Sequence, residues 1–184
     1  MSLHASARAA LSSWHTDDAA QDTLRHTYLA FLDASPRGCL RANEPGHITA
    51  SALVVDADGT HALLTLHPRI GKWVQLGGHC EPEDAGIEAA ALREATEESG
   101  IAGLTLLPGP AHLHTHPITC SLGVPTRHLD VRYVAIAPAT ADGALPEIVR
   151  SDESLDLRWW PLDDIPNDEL EPLVDAARRS VRSA

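Results

Sequence analysis

The sequence predicts an α/β fold in which helical layers cover a mixed β-sheet, preceded by a helical extension. The chain has 184 residues, 43% of them apolar, which suits one domain with a full hydrophobic core. Segments typical of strands and of helices follow one another in a mixed order rather than as βαβ repeats. No internal repeat or low-complexity tract interrupts this order. These observations favour a single globular unit.

The first predicted element is a helix over residues 16–34. Asp17 and Asp18 lie where the helix dipole favours negative charge. Its apolar side chains recur at spacings of three and four residues: Ala20, Leu24, Tyr28 and Phe31. Residues 35–38 end the helix, and the polar segment up to residue 46 is predicted to be a linker. Residues 1–46 are therefore interpreted as a helical extension and residues 47–184 as the main domain.

The main domain is predicted to begin with a β-hairpin and to contain two helices. Residues 48–56 and 61–67 form the hairpin around Asp58-Gly59. Further strands are predicted at residues 73–76, 104–115, 127–136 and 155–160. An alanine-rich helix over residues 84–99 ends at Gly100, and a last helix covers residues 167–181.

Charge and cysteine content exclude several functional classes. A net charge of -12 repels a phosphate backbone, so polymeric nucleic acid is excluded as a partner, whereas divalent cations still allow a small anionic substrate. Cys39, Cys80 and Cys120 form neither a CxxC pair nor an even set, which predicts a reducing, cytoplasmic location. No segment has the length and hydropathy of a membrane span or a secretory signal.

The alanine-rich helix carries the pattern that points to chemistry. Glu94, Glu97 and Glu98 stand at i, i+3 and i+4, so we expect their carboxylates to point the same way. The opposite side is expected to pack on the sheet, with Ala85, Ala89, Leu92 and Thr96. Three clustered carboxylates repel one another unless a cation lies among them, and Mg²⁺ prefers such oxygen ligands. The alternative is a solvated face in which Arg93 pairs with Glu97.

The segment around these glutamates resembles a known motif. Gly77-Gly78-His79-Cys80-Glu81 is followed by Arg93-Glu94-Ala95-Thr96-Glu97-Glu98-Ser99-Gly100-Ile101. The second part is similar to the R-E-U-x-E-E-x-G-U half of the Nudix box, as found in MutT-like Nudix hydrolases. The first part is one residue longer, and an insertion in the loop over residues 81–84 aligns Gly78 with the box glycine. Either Asp84 or Glu83 then takes the place of the loop acid.

The resemblance covers residues 47–184 and implies a Nudix fold, an α/β/α sandwich. It also implies hydrolysis of a nucleoside diphosphate linked to a group X, with Mg²⁺ or Mn²⁺ as cofactor. The implied metal ligands are Glu94, Glu97, Glu98 and the Gly78 carbonyl. Bound metal would neutralise the diphosphate and acidify a water molecule.

The resemblance further implies roles for two other side chains. Arg93 would orient the glutamates by ion pairing. A carboxylate from the box or from a loop would accept the proton of the attacking water. Glu153, just before the closing strand, is the candidate for an additional acid, and Asp152 is its competitor.

Alternating histidines follow the box. One face of a strand carries three of them, His112, His114 and His116. Three interpretations are open: a zinc site, contact with a base or ribose, or simple packing. For contact with substrate, the neighbouring strand adds His128 and Asp130, and we take His116 with these two as candidate substrate-binding residues.

The identity of X stays open, with a slight preference for ADP-ribose or a nucleotide sugar. Pro117 follows Ile101 by sixteen residues, a spacing that resembles a marker of ADP-ribose-hydrolysing members. The alternatives are a nucleoside triphosphate pyrophosphohydrolase, a non-catalytic metabolite-sensing Nudix domain, and an isomerase of isoprenoid diphosphates on the same scaffold. A homodimer, formed with help from the helical extension, is a further expectation.

Overall fold

The computed structural model describes residues 1–119, 123 and 125–182. The helices are α1 (Leu3–Ser13), α2 (Ala19–Ala34), α3 (Ile87–Ser99) and α4 (Glu171–Val181), the last preceded by a 3-10 turn, Asp168–Leu170. The strands are β1 (His47–Val55), β2 (His61–Leu66), β3 (Trp73–Val74), β4 (Leu76–His79), β5 (Thr105–Leu106), β6 (His112–Thr119), β7 (Pro125–Ile136) and β8 (Asp156–Pro161). None of the helices described is long and apolar enough to span a bilayer.

Strand β1 lies at the centre of one mixed sheet. It pairs with β7 in parallel along its whole length, and antiparallel with both β2 and β4 on its other edge. Strand β8 extends the sheet beyond β2, and β6 and β5 pair with β7. The predicted hairpin and mixed sheet are confirmed. The two partners on one edge of β1 split the sheet there, which leaves room for a cavity.

The core lies on both faces of the sheet. Successive β1 residues point to opposite faces, and all nine are buried. Ala52 and Val54 pack in a cluster with α1, α2 and α3, whereas Leu53 and Val55 pack in a second cluster with α4. Helices therefore cover both faces, as the predicted sandwich requires.

Helix α1 was not predicted from the sequence, although its pattern is regular. Leu3, Ala7, Ala10 and Leu11 are buried at helical spacing, and Ser2 caps the N-terminus through its side chain. The Ser6 hydroxyl accepts the Ile87 N–H at 3.1 Å, so α1 contacts the start of α3. Both helices of the extension share one apolar cluster with the sheet.

Helix α2 covers part of the outer edge of β6. The Gln21 amide accepts the Leu113 N–H at 2.6 Å and donates to the Leu113 carbonyl at 3.1 Å, as a neighbouring strand would. The Tyr28 hydroxyl donates to the His114 carbonyl at 2.7 Å. The boundary at residue 46 between the helical extension and the main domain stays a prediction. The hydrogen bonds of Gln21 and Tyr28 join residues on its two sides.

The single strand predicted over residues 104–115 is wrong. The structure has two short strands, β5 and β6, with Pro108, Gly109 and Pro110 between them. Proline has no N–H to donate to a ladder, and Gly109 has a φ of 76°. The chain keeps contact with β7 on either side, through the Leu107 and Ala111 N–H groups.

The cysteines described, Cys39 and Cys80, are buried free thiols. Cys120, the third cysteine of the sequence, lies outside the described residues.

Candidate functional site

A cavity of about 640 Å³ opens where β1 has its two antiparallel partners. Its wall includes Gly77, Gly78 and Glu98. Four cationic side chains also line it: Arg41, Arg69, Lys72 and Arg132. So do five imidazoles: His67, His79, His114, His116 and His128. The wall therefore carries charges of both signs, because four carboxylates line it as well: Glu98, Asp130, Glu153 and Glu169. The cationic side chains supply partners for an anionic ligand.

Glu98 reaches from α3 to the strand that borders the cavity. Its carboxylate accepts the Gly77 N–H at 2.9 Å, and the residue is only 9% exposed. Burial raises its pKa to about 7, and the charges of Glu94, Glu153 and Glu97 add to the rise. A carboxyl group that titrates near neutrality can take up or release a proton at physiological pH.

Gly77 is the residue that lets β4 approach β1 closely. Its φ is 151°, and a Cβ there would lie 2.2 Å from Ser51 Cβ, which no side chain could accommodate. The absence of a side chain also leaves the Gly77 N–H facing Glu98.

Glu94 lies against Gly78. A Cβ on Gly78 would stand 2.9 Å from both Glu94 carboxylate oxygens. Burial raises the pKa of Glu94 to about 7, although the neighbouring Arg93 opposes the rise. Glu94 therefore lies beside the Gly78 backbone and Glu98 beside the Gly77 N–H, and of these two glutamates Glu98 is the one in the cavity wall.

Arg93 connects the loop to the glutamates. Its Nε and Nη2 atoms donate to the two Asp84 oxygens at 3.0 and 3.1 Å, a bidentate pair. Its Nη1 atom donates to Glu94 and to Glu97, each at 3.1 Å. Nη2 also donates to the His79 carbonyl at 3.0 Å, next to Gly78. One guanidinium thus fixes the loop, the strand and the helix relative to one another.

Of the two candidate loop acids, Asp84 is the one that contacts Arg93. Its carboxylate also accepts the Glu81 N–H at 2.7 Å. Burial opposes its ionisation, but the hydrogen bonds from Arg93 and Glu81 outweigh that effect and lower the pKa of Asp84. Glu83 is exposed.

The three glutamates do not share one environment. Glu97 is 59% exposed in its side chain, in contrast to Glu94 and Glu98. The predicted packing face of the helix is wrong: Ala85 is exposed, and Ala89, Leu92 and Thr96 are only half-buried. The buried face comprises Ile87, Ala90, Ala91, Ala95, Glu98 and Ser99. The side that packs on the sheet therefore carries Glu98 together with the apolar residues Ile87, Ala90, Ala91 and Ala95.

Glu153 is exposed on the loop before β8 and lines the cavity. Its negative charge contributes to the raised pKa of both Glu94 and Glu98. Asp152, its competitor, is exposed and is not among the residues of the cavity wall. Glu153 stays a predicted additional acid.

Asp130 is a buried charge with a full set of donors. Thr49, Ser51, Gln75 and Arg132 each donate to its carboxylate, at 2.8 to 3.1 Å. Burial disfavours its charge, but Arg132 and the hydrogen bonds prevail and lower the pKa of Asp130. Its carboxylate oxygens already accept hydrogen bonds from neighbouring side chains. The predicted role of Asp130 in substrate binding stays a prediction, and Asp130 would act there through Arg132.

The alternating histidines do share a face of β6. The His114 and His116 rings are 5.5 Å apart, and His116 lies 5.2 Å from His128 on β7. His116 and His128 thus stand together in the cavity wall, where their predicted contact with substrate stays a prediction. His112 is directed to Gln21, 3.0 Å away.

Sequence reasoning missed the cationic side chains of the cavity and two further histidines, His47 and His79. Arg41, Arg69 and Lys72 lie in irregular segments, with no periodic pattern to distinguish them from surface charges. His79 was visible beside Gly78, but its neighbour His47 is brought to it only by the β1–β4 pairing.

Comparisons with known proteins agree with this geometry. The family model of the NUDIX domain matches residues 45–183. A NUDIX-family hydrolase from Clostridium perfringens is 26% identical, with a TM-score of 0.54, over 72% of this chain and 97% of that one. No curated protein sequence matches the chain significantly.

Two more distant structures share the fold. A C. elegans Ap4A hydrolase in a binary complex has 19% identity and a TM-score of 0.54, over 74% of this chain and 98% of its own. The Nudix hydrolase RenU from M. smegmatis has 21% identity and a TM-score of 0.50, over 75% and 88%. With the family match over most of the chain, these findings show that the chain belongs to the Nudix hydrolases, enzymes that act on phosphorus anhydrides.

Proposed function

We propose that the chain hydrolyses the diphosphate of a nucleoside diphosphate linked to a group X, with Mg²⁺ or Mn²⁺ as cofactor. The observation that carries the proposal is the buried carboxylate of Glu98, with the half-buried one of Glu94, beside Gly77 and Gly78. Glu98 lines a cavity that also holds four cationic side chains. Carboxylates beside a phosphate-binding cavity are the usual setting for metal-assisted phosphate chemistry.

The donor set fits a hard divalent cation. Glu94, Glu97 and Glu98 with the Gly78 carbonyl offer oxygen ligands only, as Mg²⁺ and Mn²⁺ prefer. Two of these carboxylates carry a raised pKa because burial and mutual repulsion penalise their charge, and a cation would relieve that penalty. When bound, the ion supplies positive charge that polarises the attacked phosphate and favours deprotonation of water.

The remaining chemistry belongs to the side chains. Arg93 holds Glu94 and Glu97 in place through the hydrogen bonds described above and ties them to Asp84. Cationic side chains such as Arg69 would bind the phosphate oxygens and orient the diphosphate. Glu97, Glu98 and Glu153 are the carboxylates available to accept the proton of the attacking water.

Within this class, ADP-ribose and nucleotide sugars are the preferred substrates. Pro117, whose spacing from Ile101 motivated the preference, lies on β6 and lines the cavity. The cavity is large enough for a nucleotide and part of X, since ligand sites commonly measure about 300 to 1,000 Å³.

The test combines a substrate screen with a matched pair of variants. ADP-ribose, nucleotide sugars, dinucleoside polyphosphates and nucleoside triphosphates are incubated with Mg²⁺ or a chelator, and products are followed by phosphorus NMR in ¹⁸O-labelled water. We expect label in a product phosphate, and turnover that requires the metal. Glu98→Gln should lower turnover by on the order of 100-fold or more, as for loss of one electrostatic stabilising group.

Glu88→Gln, on the same helix but exposed, is the control and should retain turnover. Full activity of a folded Glu98→Gln variant would show that the carboxylate assignment is wrong. Nucleotide binding without product would instead identify a sensing domain.

A further inference from the structure

Three histidines meet at one end of the central strands. His47 begins β1, His128 is its partner across the parallel β1–β7 pairing, and His79 ends β4 opposite Thr49. Their ring centroids are 4.9 to 5.1 Å apart. One ring nitrogen of each lies within 4.8 Å of those of the other two. We call these three residues the histidine cluster.

Two nitrogens of the histidine cluster are buried without a hydrogen-bond partner. They are His47 Nε2 and His128 Nε2, and no partner for either lies within residues 1–119, 123 and 125–182. His47 is only 1% exposed. A buried imidazole nitrogen without a partner is costly, by about 1 to 3 kcal/mol, so its retention calls for an explanation.

The proposed magnesium site does not use these nitrogens. The implied Mg²⁺ ligands are carboxylate and carbonyl oxygens, and His47 is absent from the cavity wall. Packing alone would favour apolar side chains over three imidazoles in contact. A metal ion that takes nitrogen ligands would give both of these buried nitrogens a partner.

The histidine cluster has the chemistry of a transition-metal site. Neutral imidazole is a common ligand of Zn²⁺, whereas Mg²⁺ requires oxygen donors and an octahedral shell. We propose that His47, His79 and His128 bind one Zn²⁺ ion, separate from the cation of the carboxylates.

The geometry allows such an ion with small side-chain movements. Ligand nitrogens at about 2.0 to 2.1 Å from a tetrahedral zinc ion lie roughly 3.4 Å apart. The cluster nitrogens, within 4.8 Å of one another, therefore have to move together by on the order of 1 Å. Three protein ligands leave a fourth position, and this position faces the cavity because His79 and His128 both line it.

A zinc ion there would join three strands next to the carboxylates. It would link the start of β1, the end of β4 and the first part of β7. His79 follows Gly78 directly, and its carbonyl accepts a hydrogen bond from Arg93. We therefore expect zinc to raise thermal stability, through binding to the folded state only.

The test uses the metal alone, in the presence of excess Mg²⁺ so that the carboxylates are occupied. Metal-free protein is titrated with Co²⁺, whose four-coordinate complexes absorb strongly in the visible, and then with Zn²⁺. We expect one equivalent to produce the absorption and Zn²⁺ to abolish it. His128→Gln should weaken Zn²⁺ binding by more than the roughly 10- to 100-fold that loss of an outer-shell partner costs.

The control is His112→Gln, a half-buried histidine of β6 outside the cluster, which should bind as the wild type does. His79→Gln, also half-buried, repeats the test if His128→Gln fails to fold by circular dichroism. Absence of the absorption in the wild type would overturn the proposal. Unchanged affinity in either folded cluster variant would do so as well.

Discussion

The hydrogen bond from the Gly77 N–H holds the Glu98 carboxylate in position. Glu98 accepts the Gly77 N–H and has little exposure, so its charged form is disfavoured until a cation arrives. Its pKa, raised from 4.5 to about 7, means that the folded state binds a proton more tightly than the unfolded state does. Between these two pH values the contribution of Glu98 to stability therefore decreases as pH rises.

Glu98→Gln removes this pH dependence while keeping an acceptor for the Gly77 N–H. Without divalent metal, we expect the variant to gain on the order of 2 kcal/mol over the wild type between pH 4.5 and pH 8. Urea denaturation at several pH values measures the difference. Glu83→Gln, in an exposed loop position, serves as the control and should show no such trend. A constant difference for Glu98→Gln would contradict the assigned pKa.

Gly78 is a second residue whose replacement separates activity from folding. Its backbone is not in the left-handed region, so alanine is tolerated there, but the new Cβ would stand 2.9 Å from the Glu94 oxygens. The carboxylate has to move, and a displacement of about 1 Å can cost up to roughly 100-fold in rate. We expect Gly78→Ala to lower kcat/KM by about that factor with a nearly unchanged melting temperature. Turnover equal to the wild type would argue against Glu94 as a ligand.

Helix α3 illustrates what a sequence pattern can predict and what it cannot. The acidic cluster, the glycine at the C-terminus and the presence of the helix were predicted, because spacing along one helix needs no information from elsewhere. The predicted buried face was wrong, since helical spacing placed the three glutamates on the side opposite to the sheet. Glu98 is buried because its partner, the Gly77 N–H, comes from β4. For the loop acid that pairs with Arg93, the sequence left two candidates, Asp84 and Glu83.

The end of α3 offers a test of local packing. Gly100 has a φ of 69°, and a Cβ there would lie 2.6 Å from Val149 Cβ. Gly100→Ala should therefore lower the free energy of unfolding by about 2 kcal/mol or more, combining left-handed strain with a clash. Gly71→Ala, at a φ of 62° with no neighbour within 4 Å, should show only the backbone cost of about 1 kcal/mol. Equal losses in the two variants would mean that Val149 moves aside freely.

The sequence did not predict which strands from distant parts of the chain pair with one another. The parallel pairing of β1 with β7 joins residues about eighty positions apart, and it brings His47 to His128 and Asp130 to Thr49. No local pattern specifies such a register, because each strand alone is compatible with many partners. The fold class, the box and several residues of the cavity wall were therefore predictable, whereas the approach of His47 and His79 to His128 was not.

One apolar cluster joins the helical extension to the sheet. Leu11 of α1 is completely buried in that cluster. Leu11→Ala should cost about 2 to 5 kcal/mol, and circular dichroism and turnover should be lost at the same denaturant concentration. Ala9→Ser, at an exposed position of the same helix, should change stability little. Turnover that persists after the helices of the extension have melted would instead identify residues 1–46 as an independent unit.

The Gln21 side chain has a consequence for self-association. Its amide occupies both backbone groups of Leu113, so a second copy could not extend the sheet by adding a strand there without displacing α2. The Tyr28 hydroxyl also donates to the His114 carbonyl, which holds α2 against the strand. A second copy is therefore not expected to pair along this part of β6, and the edge of β6 beside α2 is protected from edge-to-edge aggregation.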